Sequence, residues 1–200
     1  MRWLRLAVVV AVTLAIAVTA WIGVRGWLAK DHLEKASALV PRLEQQARQG
    51  GTGTDDLMAL QRETGAARDL TGDAMWSGAQ HLPWVGDDLA AMRTTARAVD
   101  TVATRAVPPL LAVAHAVDPK TLRPRSSRMD LQALQKLQAP LRQADQALKQ
   151  AQIMLSPYVG QGDHADSLVE PLRQAITRLV DELDTLADLT AAATKAADLL

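Results

Sequence analysis

Apolar residues recur at alternating spacings of three and four along most of the chain beyond residue 28. This spacing places them on one face of an α-helix. The pattern is longest from Leu89 to Val117, where its many alanines predict a thin seam that neighbouring helices approach closely. The same spacing runs over residues 33–47, 57–67, 134–155 and 168–197. The chain is therefore predicted to be all-α.

Segments rich in glycine and proline divide the pattern into about five long helices. The second helix is predicted from about Asp55 to about Gln80, Asp130 is predicted to cap the fourth, and Ser167 with Glu170 forms a predicted capping box for the last. Alternating helices and loops favour an antiparallel bundle. Prolines inside the pattern predict kinks at Pro41, Pro108-Pro109 and Pro140.

The N-terminal pattern is different, because residues 6–24 read LAVVVAVTLAIAVTAWIGV and carry no charge. A helix of this length approaches the roughly 30 Å hydrocarbon core of a bilayer. Trp3, Trp21 and Trp27 suit the aromatic belt at the membrane interfaces. The sequence therefore predicts a transmembrane signal-anchor over residues 1–28, which contacts membrane lipid through residues 6–24.

The flanking charges predict which side of the membrane holds the bulk of the chain. No acid precedes the span, whereas Asp31 and Glu34 follow it, which favours a cytoplasmic N-terminus and an extracytoplasmic bundle over residues 29–200. The alternative is a signal peptide cleaved after Val18-Thr19-Ala20. The uncleaved anchor is favoured because the run exceeds the usual apolar region of about 7–15 residues.

A short corner interrupts the helices at Leu-Pro-Trp-Val-Gly, residues 82–86. Pro83 is predicted to end one helix, Gly86 to allow the turn, and Asp87 to charge the first turn of the next helix favourably. Trp84, with Trp76 about two turns earlier, is predicted to fill the end of the bundle. The corner is interpreted as structural, with a binding site as the alternative.

Composition limits the chemistry that the chain can perform. With 22 basic and 22 acidic residues it lacks the basic excess of a nucleic-acid binder. It has no cysteine, and its four histidines are too scattered to predict a metal site. No phosphate loop, nucleophile elbow, kinase-like or zincin-like motif occurs. We therefore expect no catalytic residues, no metal and no cofactor.

One charge cluster stands out in the segment LRPRSSRMD. Arg123, Arg125 and Arg128 could together bind phosphate or carboxylate groups of an envelope polymer or a lipid headgroup. The alternative, which is favoured, is an ordinary solvated loop, because isolated exposed charges usually contribute little.

The order of four segments resembles a known family. These segments are LQRETGAARDLTGDAMW, LPWVGDDL, VPPLL and VDPKTLRPR, followed by a leucine-rich helix. The chain is similar over nearly its whole length to actinobacterial membrane-anchored proteins catalogued as domain of unknown function 4012. The resemblance implies that these helices form the N-terminal part of a longer protein, and it transfers no activity.

The leading functional hypothesis is a membrane-anchored, extracytoplasmic structural or interaction module of the bacterial cell envelope. Its partner is expected to be a protein or an envelope polymer. One alternative is a sensor-type ectodomain. The other is the stalk of an envelope-polymer enzyme whose catalytic domain lies beyond residue 200.

Overall fold

The computed structural model describes the backbone of residues 2–49, 51, 53–83, 85–116, 131–160 and 162–198. Within the helices, the side chains of residues 2–12, 14–16, 18, 131–136 and 196–198 are outside the described part. The described residues are almost entirely helical and contain no strand. The all-α prediction is confirmed.

Seven α-helical segments make up the described fold. They are α1 Arg2–Arg48, α2 Thr54–Leu70, α3 Ala74–Ala79, α4 Gly86–Thr101, α5 Val107–Ala116, α6 Leu131–Leu155 and α7 Glu170–Asp198. A π-helical segment, Val102–Ala106, joins α4 to α5, and a 3₁₀ turn, Ser156–Tyr158, follows α6. Because α4, the π segment and α5 are continuous, the described part holds five long helices and one short one.

The long helices run back and forth between two ends of the bundle. At the corner end, the first turn of α4 lies beside the residues that precede α7, where the Val169 amide donates to the Asp88 carboxylate at 2.9 Å. At the distal end, His115 near the end of α5 contacts the carbonyl of Gly51 at 2.5 Å. Gly53, at the same end, has a φ of 60°, which favours glycine, and it immediately precedes α2.

The main core lies between α4, α6 and α7. Small residues on α4, such as Ala91 and Ala98, face larger ones on the other two helices, such as Leu148 and Ile176. The thin seam predicted for α4 is also buried, at Ala96, Ala103 and Ala106. The helix α4 is therefore covered on two faces, by α2 on one side and by α6 and α7 on the other.

The helix α1 is one uninterrupted rod that includes the predicted span and the predicted first bundle helix. Its buried positions, Ala29, Ala36 and Leu43, recur every seven residues, so one narrow stripe faces the bundle. Ala36 and Leu43 pack with Leu60 and Ala103. The α-helix continues through Pro41, and α6 likewise continues through Pro140.

Most side chains of the predicted span, residues 6–24, lie outside the described part of the chain. Within the part that is described, no helix has both the length and the apolar character needed to cross a bilayer.

The proline pair in the third long helix is accommodated by the π segment that precedes it. The Val107 amide donates to the carbonyl of Val102, five residues back, instead of to Ala103. Pro108 has no N–H, so it leaves the Ala103 carbonyl without a partner within the helix. The Gln61 side-chain amide donates to that carbonyl from α2 at 3.2 Å. A neighbouring helix thus supplies the hydrogen bond that the proline removes.

Two predicted helix boundaries are wrong. The second helix ends at Leu70, because Asp73 then starts the separate helix α3 by accepting a hydrogen bond from the Trp76 amide at 2.7 Å. The last helix begins at Glu170, and the Ser167 hydroxyl donates to the His164 carbonyl instead of capping it. The predicted cap Asp130 lies outside the described residues.

Candidate functional site

The Trp76 side chain is the centre of the corner end. It is fully buried, and its indole Nε1–H donates to the Leu89 carbonyl at 3.0 Å. It packs with Ala79 and Leu89, and Ile22 and Met92 cover the cluster. Trp76 therefore holds three helices together, because these residues come from α1, α3 and α4.

A charged pair reinforces this junction. The Arg25 guanidinium on α1 pairs with the Asp73 carboxylate and also donates to the Leu70 carbonyl at 3.4 Å. Its carbon Cζ lies 4.3 Å from the centre of the Trp21 ring, within the range of a cation–π contact. Asp73 thus has two roles, since the same carboxylate caps α3. These contacts tie α1 to the turn between α2 and α3.

The corner turns sharply at Gly86. Gly86 is buried, and a Cβ atom at this position would lie 2.2 Å from the Gln80 carbonyl oxygen, so no larger residue fits without moving the backbone. Pro83 is exposed in the turn that leads to it. Trp84, which we predict to fill the end of the bundle, lies outside the described residues.

The two acids after Gly86 hold the loop between α6 and α7. Both lie in the first turn of α4, where their charges favour the positive end of the helix dipole. Asp87 Oδ1 also lies 3.3 Å from Nδ1 of His164. The Asp88 carboxylate accepts a hydrogen bond from the Val169 amide. The corner therefore joins the α2–α3 region to the α6–α7 loop.

A shallow cavity of about 430 Å³ opens beside the corner. Gln80 contributes a buried side-chain nitrogen that has no hydrogen-bond partner among the described residues. The cavity is lined by Gln80, His81, Leu82, Pro83, Gly86, Asp87 and Ser167.

The predicted anion contacts Arg123, Arg125 and Arg128 lie outside the described residues. The helix α5 that precedes them ends at the distal end of the bundle, beside Gly51. The corner residues Trp76 and Gly86 lie at the opposite end.

A second set of arginines, which was not predicted from the sequence, lies along α2, α4 and the π segment. We call Arg68, Arg93, Arg97 and Arg105 the arginine stripe. Arg93 and Arg97 are four residues apart, so they lie on the same face of α4. That spacing is visible in the sequence, but the approach of Arg68 from α2 depends on the packing of the two helices.

Only one arginine of the stripe is paired with acids in the described part of the chain. The Arg68 guanidinium lies 2.8 Å from the Asp100 carboxylate and 3.0 Å from the Asp69 carboxylate. The pKa of Arg68 is raised, chiefly by its hydrogen bond to Asp69 and next by the charge of Asp100. Asp100 is 7% exposed and also accepts from the Thr64 hydroxyl at 3.4 Å. The carboxylates nearest the stripe are therefore already engaged.

Arg93, Arg97 and Arg105 have no acidic partner among the described residues. Arg93 donates to the Ser77 hydroxyl at 2.7 Å and to the Gly72 carbonyl at 3.4 Å, and its buried Nε is unpartnered. Arg105 donates to the Gln150 side-chain oxygen at 3.1 Å. The pKa of Arg97 is lowered, first by burial and then by the charges of Arg93 and Arg68.

The histidines serve as contacts between elements or along one helix. His32 on α1 contacts Glu63 on α2 at 2.5 Å, and His81 contacts the Ser77 carbonyl at 3.1 Å. His115 and His164 make the contacts with Gly51 and Asp87 already described. No group of three or more potential metal-binding side chains converges within the described residues.

Comparison with known proteins finds no matching family model, no matching curated protein and no matching solved structure. The resemblance to the actinobacterial family therefore stays a proposal that depends on the quoted segments alone.

Proposed function

We propose that this chain is a membrane-anchored helical module of the bacterial cell envelope, with its bundle outside the cytoplasmic membrane. In this proposal it acts as a structural or interaction module and performs no chemistry of its own. Its N-terminal apolar run holds it in the bilayer, and its helices position a partner. We also propose that the chain is related to the actinobacterial membrane-anchored proteins that it resembles.

The observation that carries the proposal is the way in which α1 leaves the bundle. The bundle covers α1 from Ile22 onward, where Ile22 joins the Trp76 cluster. Before that point, the described side chains Thr13, Ala17, Thr19 and Ala20 are all exposed. An uncharged helix that protrudes from its own protein needs another apolar environment, and a bilayer provides one.

The residues at this transition also suit a membrane interface. Trp21 and Arg25 stack on each other where the run ends, and the side chain of Trp27 is 66% exposed. Tryptophan and arginine are favoured at the level of the lipid headgroups, because each combines an apolar body with a polar tip. In the proposed arrangement, the corner end therefore faces the membrane and the distal end points away from it.

Cysteine labelling tests this arrangement, because the chain has no cysteine of its own. Thr13→Cys and Ser37→Cys place single thiols at two exposed positions on α1. In spheroplasts, a membrane-impermeant maleimide should label Ser37→Cys, whereas Thr13→Cys should react only after detergent is added. Equal labelling of both thiols before detergent, or recovery of the chain in the soluble fraction, would contradict the proposal.

N-terminal sequencing of the membrane-fraction protein tests the uncleaved anchor separately. We expect the chain to retain the residues before Trp21. A mature chain that starts at Trp21 would show cleavage after Ala20 and would overturn the anchor.

A further inference from the structure

We propose that the arginine stripe is a binding site for a ligand that carries two neighbouring oxyanion groups, phosphate or carboxylate. Arg97 is its central residue. The site is formed by α2, α4 and the π segment, so it does not depend on the proposed membrane placement. It is also separate from the predicted anion contacts at residues 123–128.

The first support is an imbalance of charge within a chain that is neutral overall. The guanidinium of Arg97 has no hydrogen bond or ion pair with any described residue, and that of Arg93 has only neutral partners. The acids in the area are already taken, Asp69 and Asp100 by Arg68 and Asp73 by Arg25. Among the described residues, no carboxylate forms an ion pair with the guanidinium groups of Arg93, Arg97 or Arg105.

The second support is the shape of the surface around Arg97. Two grooves, of about 400 and 340 Å³, lie next to each other, and Arg68 and Arg97 line both. Asp69, Gly72 and Asp73 also line the first groove, where Arg68 pairs with Asp69 and Arg25 pairs with Asp73. The second groove is also lined by Asp100, which pairs with Arg68, and by Thr101, Thr104 and Arg105. Each groove can hold one oxyanion group, and Arg97 can reach both.

The third support is the chemistry of the guanidinium groups. Arginine presents paired N–H donors that match the oxygens of phosphate and carboxylate, and such charge-assisted hydrogen bonds are about twice as strong as neutral ones. Burial first, and then the charges of Arg93 and Arg68, lower the pKa of Arg97, and a bound anion would offset the repulsion among these three guanidinium groups.

The spacing favours a ligand with repeated charges over a single small ion. Arg93 and Arg97 are one helical turn apart, about 6 Å along the axis of α4. Anionic groups that repeat along a chain at a similar distance can contact both arginines at once. An extended phosphate- or carboxylate-bearing polymer therefore fits the stripe better than free phosphate.

The test measures binding of the full chain, purified in detergent, to polyphosphate, to polygalacturonate and to inorganic phosphate. Arg97→Gln removes the central charge without breaking any described contact, so its fold and stability should be unchanged. Arg178→Gln is the matched control, because Arg178 is exposed on α7 and lines neither groove. Circular dichroism checks that both variants keep their helices.

We expect Arg97→Gln to weaken binding of at least one polymer by about tenfold or more, the effect of losing charge-assisted hydrogen bonds. Arg178→Gln should bind like the original chain, and inorganic phosphate should bind more weakly than either polymer. Preference for polyphosphate or polygalacturonate identifies the oxyanion as phosphate or carboxylate. Equal losses in the two variants, or no binding of any probe, would overturn the proposal.

Discussion

The corner and the π segment both interrupt α-helical hydrogen bonding next to a proline, yet the chain reverses at one and runs straight on at the other. At the corner, Pro83 lies in an exposed turn and Gly86 allows the next helix to start in a new direction. Beyond the π segment, Pro108 lies in the first turn of α5, and the helix continues to Ala116. The two regions contain similar residues and have opposite outcomes.

The difference lies in where the displaced backbone groups find partners. At the π segment, Gln61 of a neighbouring helix donates to the Ala103 carbonyl, which has lost its partner within the helix, and the helix continues. At the corner, Asp73 and Trp76 instead anchor a new helix start and a packed junction. The prediction that Pro83 ends a helix is wrong, since α3 already ends at Ala79. The helix that contains Pro108 continues where a neighbouring helix supplies a donor.

The largest expected effect is at Trp76, on which the corner depends. Trp76→Ala should lower the free energy of unfolding by about 3–5 kcal/mol, the range for loss of a buried aromatic side chain. Trp76→Phe keeps most of the apolar volume but loses the hydrogen bond to the Leu89 carbonyl, so it should cost less. Denaturant unfolding of the full chain in detergent measures both. A loss under about 1 kcal/mol for Trp76→Ala would show that the corner does not hold the bundle.

The next effect tests whether the corner needs its sharp turn. Gly86→Ala places a Cβ against the Gln80 carbonyl and should cost about 3 kcal/mol, at the upper end for overpacking because the obstacle is backbone. Gly78→Ala is the control within the same region, since a Cβ there meets nothing within 4 Å. That control should stabilise the chain by about 0.4–1 kcal/mol. Similar unfolding curves for the two variants would contradict the close packing at Gly86.

The π segment should respond to loss of its outside donor. Gln61→Met keeps a similar size but removes the hydrogen bond to the Ala103 carbonyl, with an expected cost of about 1–2 kcal/mol. Pro108→Ala restores a backbone N–H near that carbonyl. In the Pro108→Ala background, Gln61→Met should therefore cost clearly less, which a double-mutant cycle measures. An equal loss of stability in both backgrounds would show that the Gln61 hydrogen bond does not compensate for Pro108.

The smallest effect divides the two roles of Asp73. Asp73→Ala removes the cap of α3 and the pair with Arg25, and should cost about 1 kcal/mol. Asp73→Asn keeps a capping oxygen and loses the charge, so it should cost only a few tenths of a kcal/mol, as for other partly exposed ion pairs. If Asp73→Asn lowers the free energy of unfolding as much as Asp73→Ala, the ion pair with Arg25 contributes more to stability than the cap of α3.

The sequence predicted the helices best where one face is buried over many turns. The heptad-like seam of α4 and the π segment is buried at Leu89, Ala96, Ala103 and Ala106, as expected from its spacing. Its second buried face, at Ala91 and Ala98, was missed, because alanine is compatible with both buried and exposed positions. Periodicity finds the stronger stripe and cannot show that a helix is covered on both sides.

Local chemistry was harder to predict, because it depends on which groups meet in three dimensions. Asp73 ends the predicted second helix through its hydrogen bond to the Trp76 amide, and nothing in the apolar pattern marks that break. The arginine stripe was missed for a related reason. Arg68 is paired and Arg97 is not, and only the packing of α2 against α4 decides this.

The unbroken course of α1 has a mechanical consequence. From Trp21 to Arg48 it rises about 40 Å at 1.5 Å per residue, with no flexible linker between the apolar run and the bundle. In the proposed membrane setting, α1 is a continuous helix that fixes the distance between the lipid surface and the distal end of the bundle. It also sets the direction in which each face of the bundle points, since one residue inserted or deleted between the run and the bundle would turn every face through about 100° relative to the run.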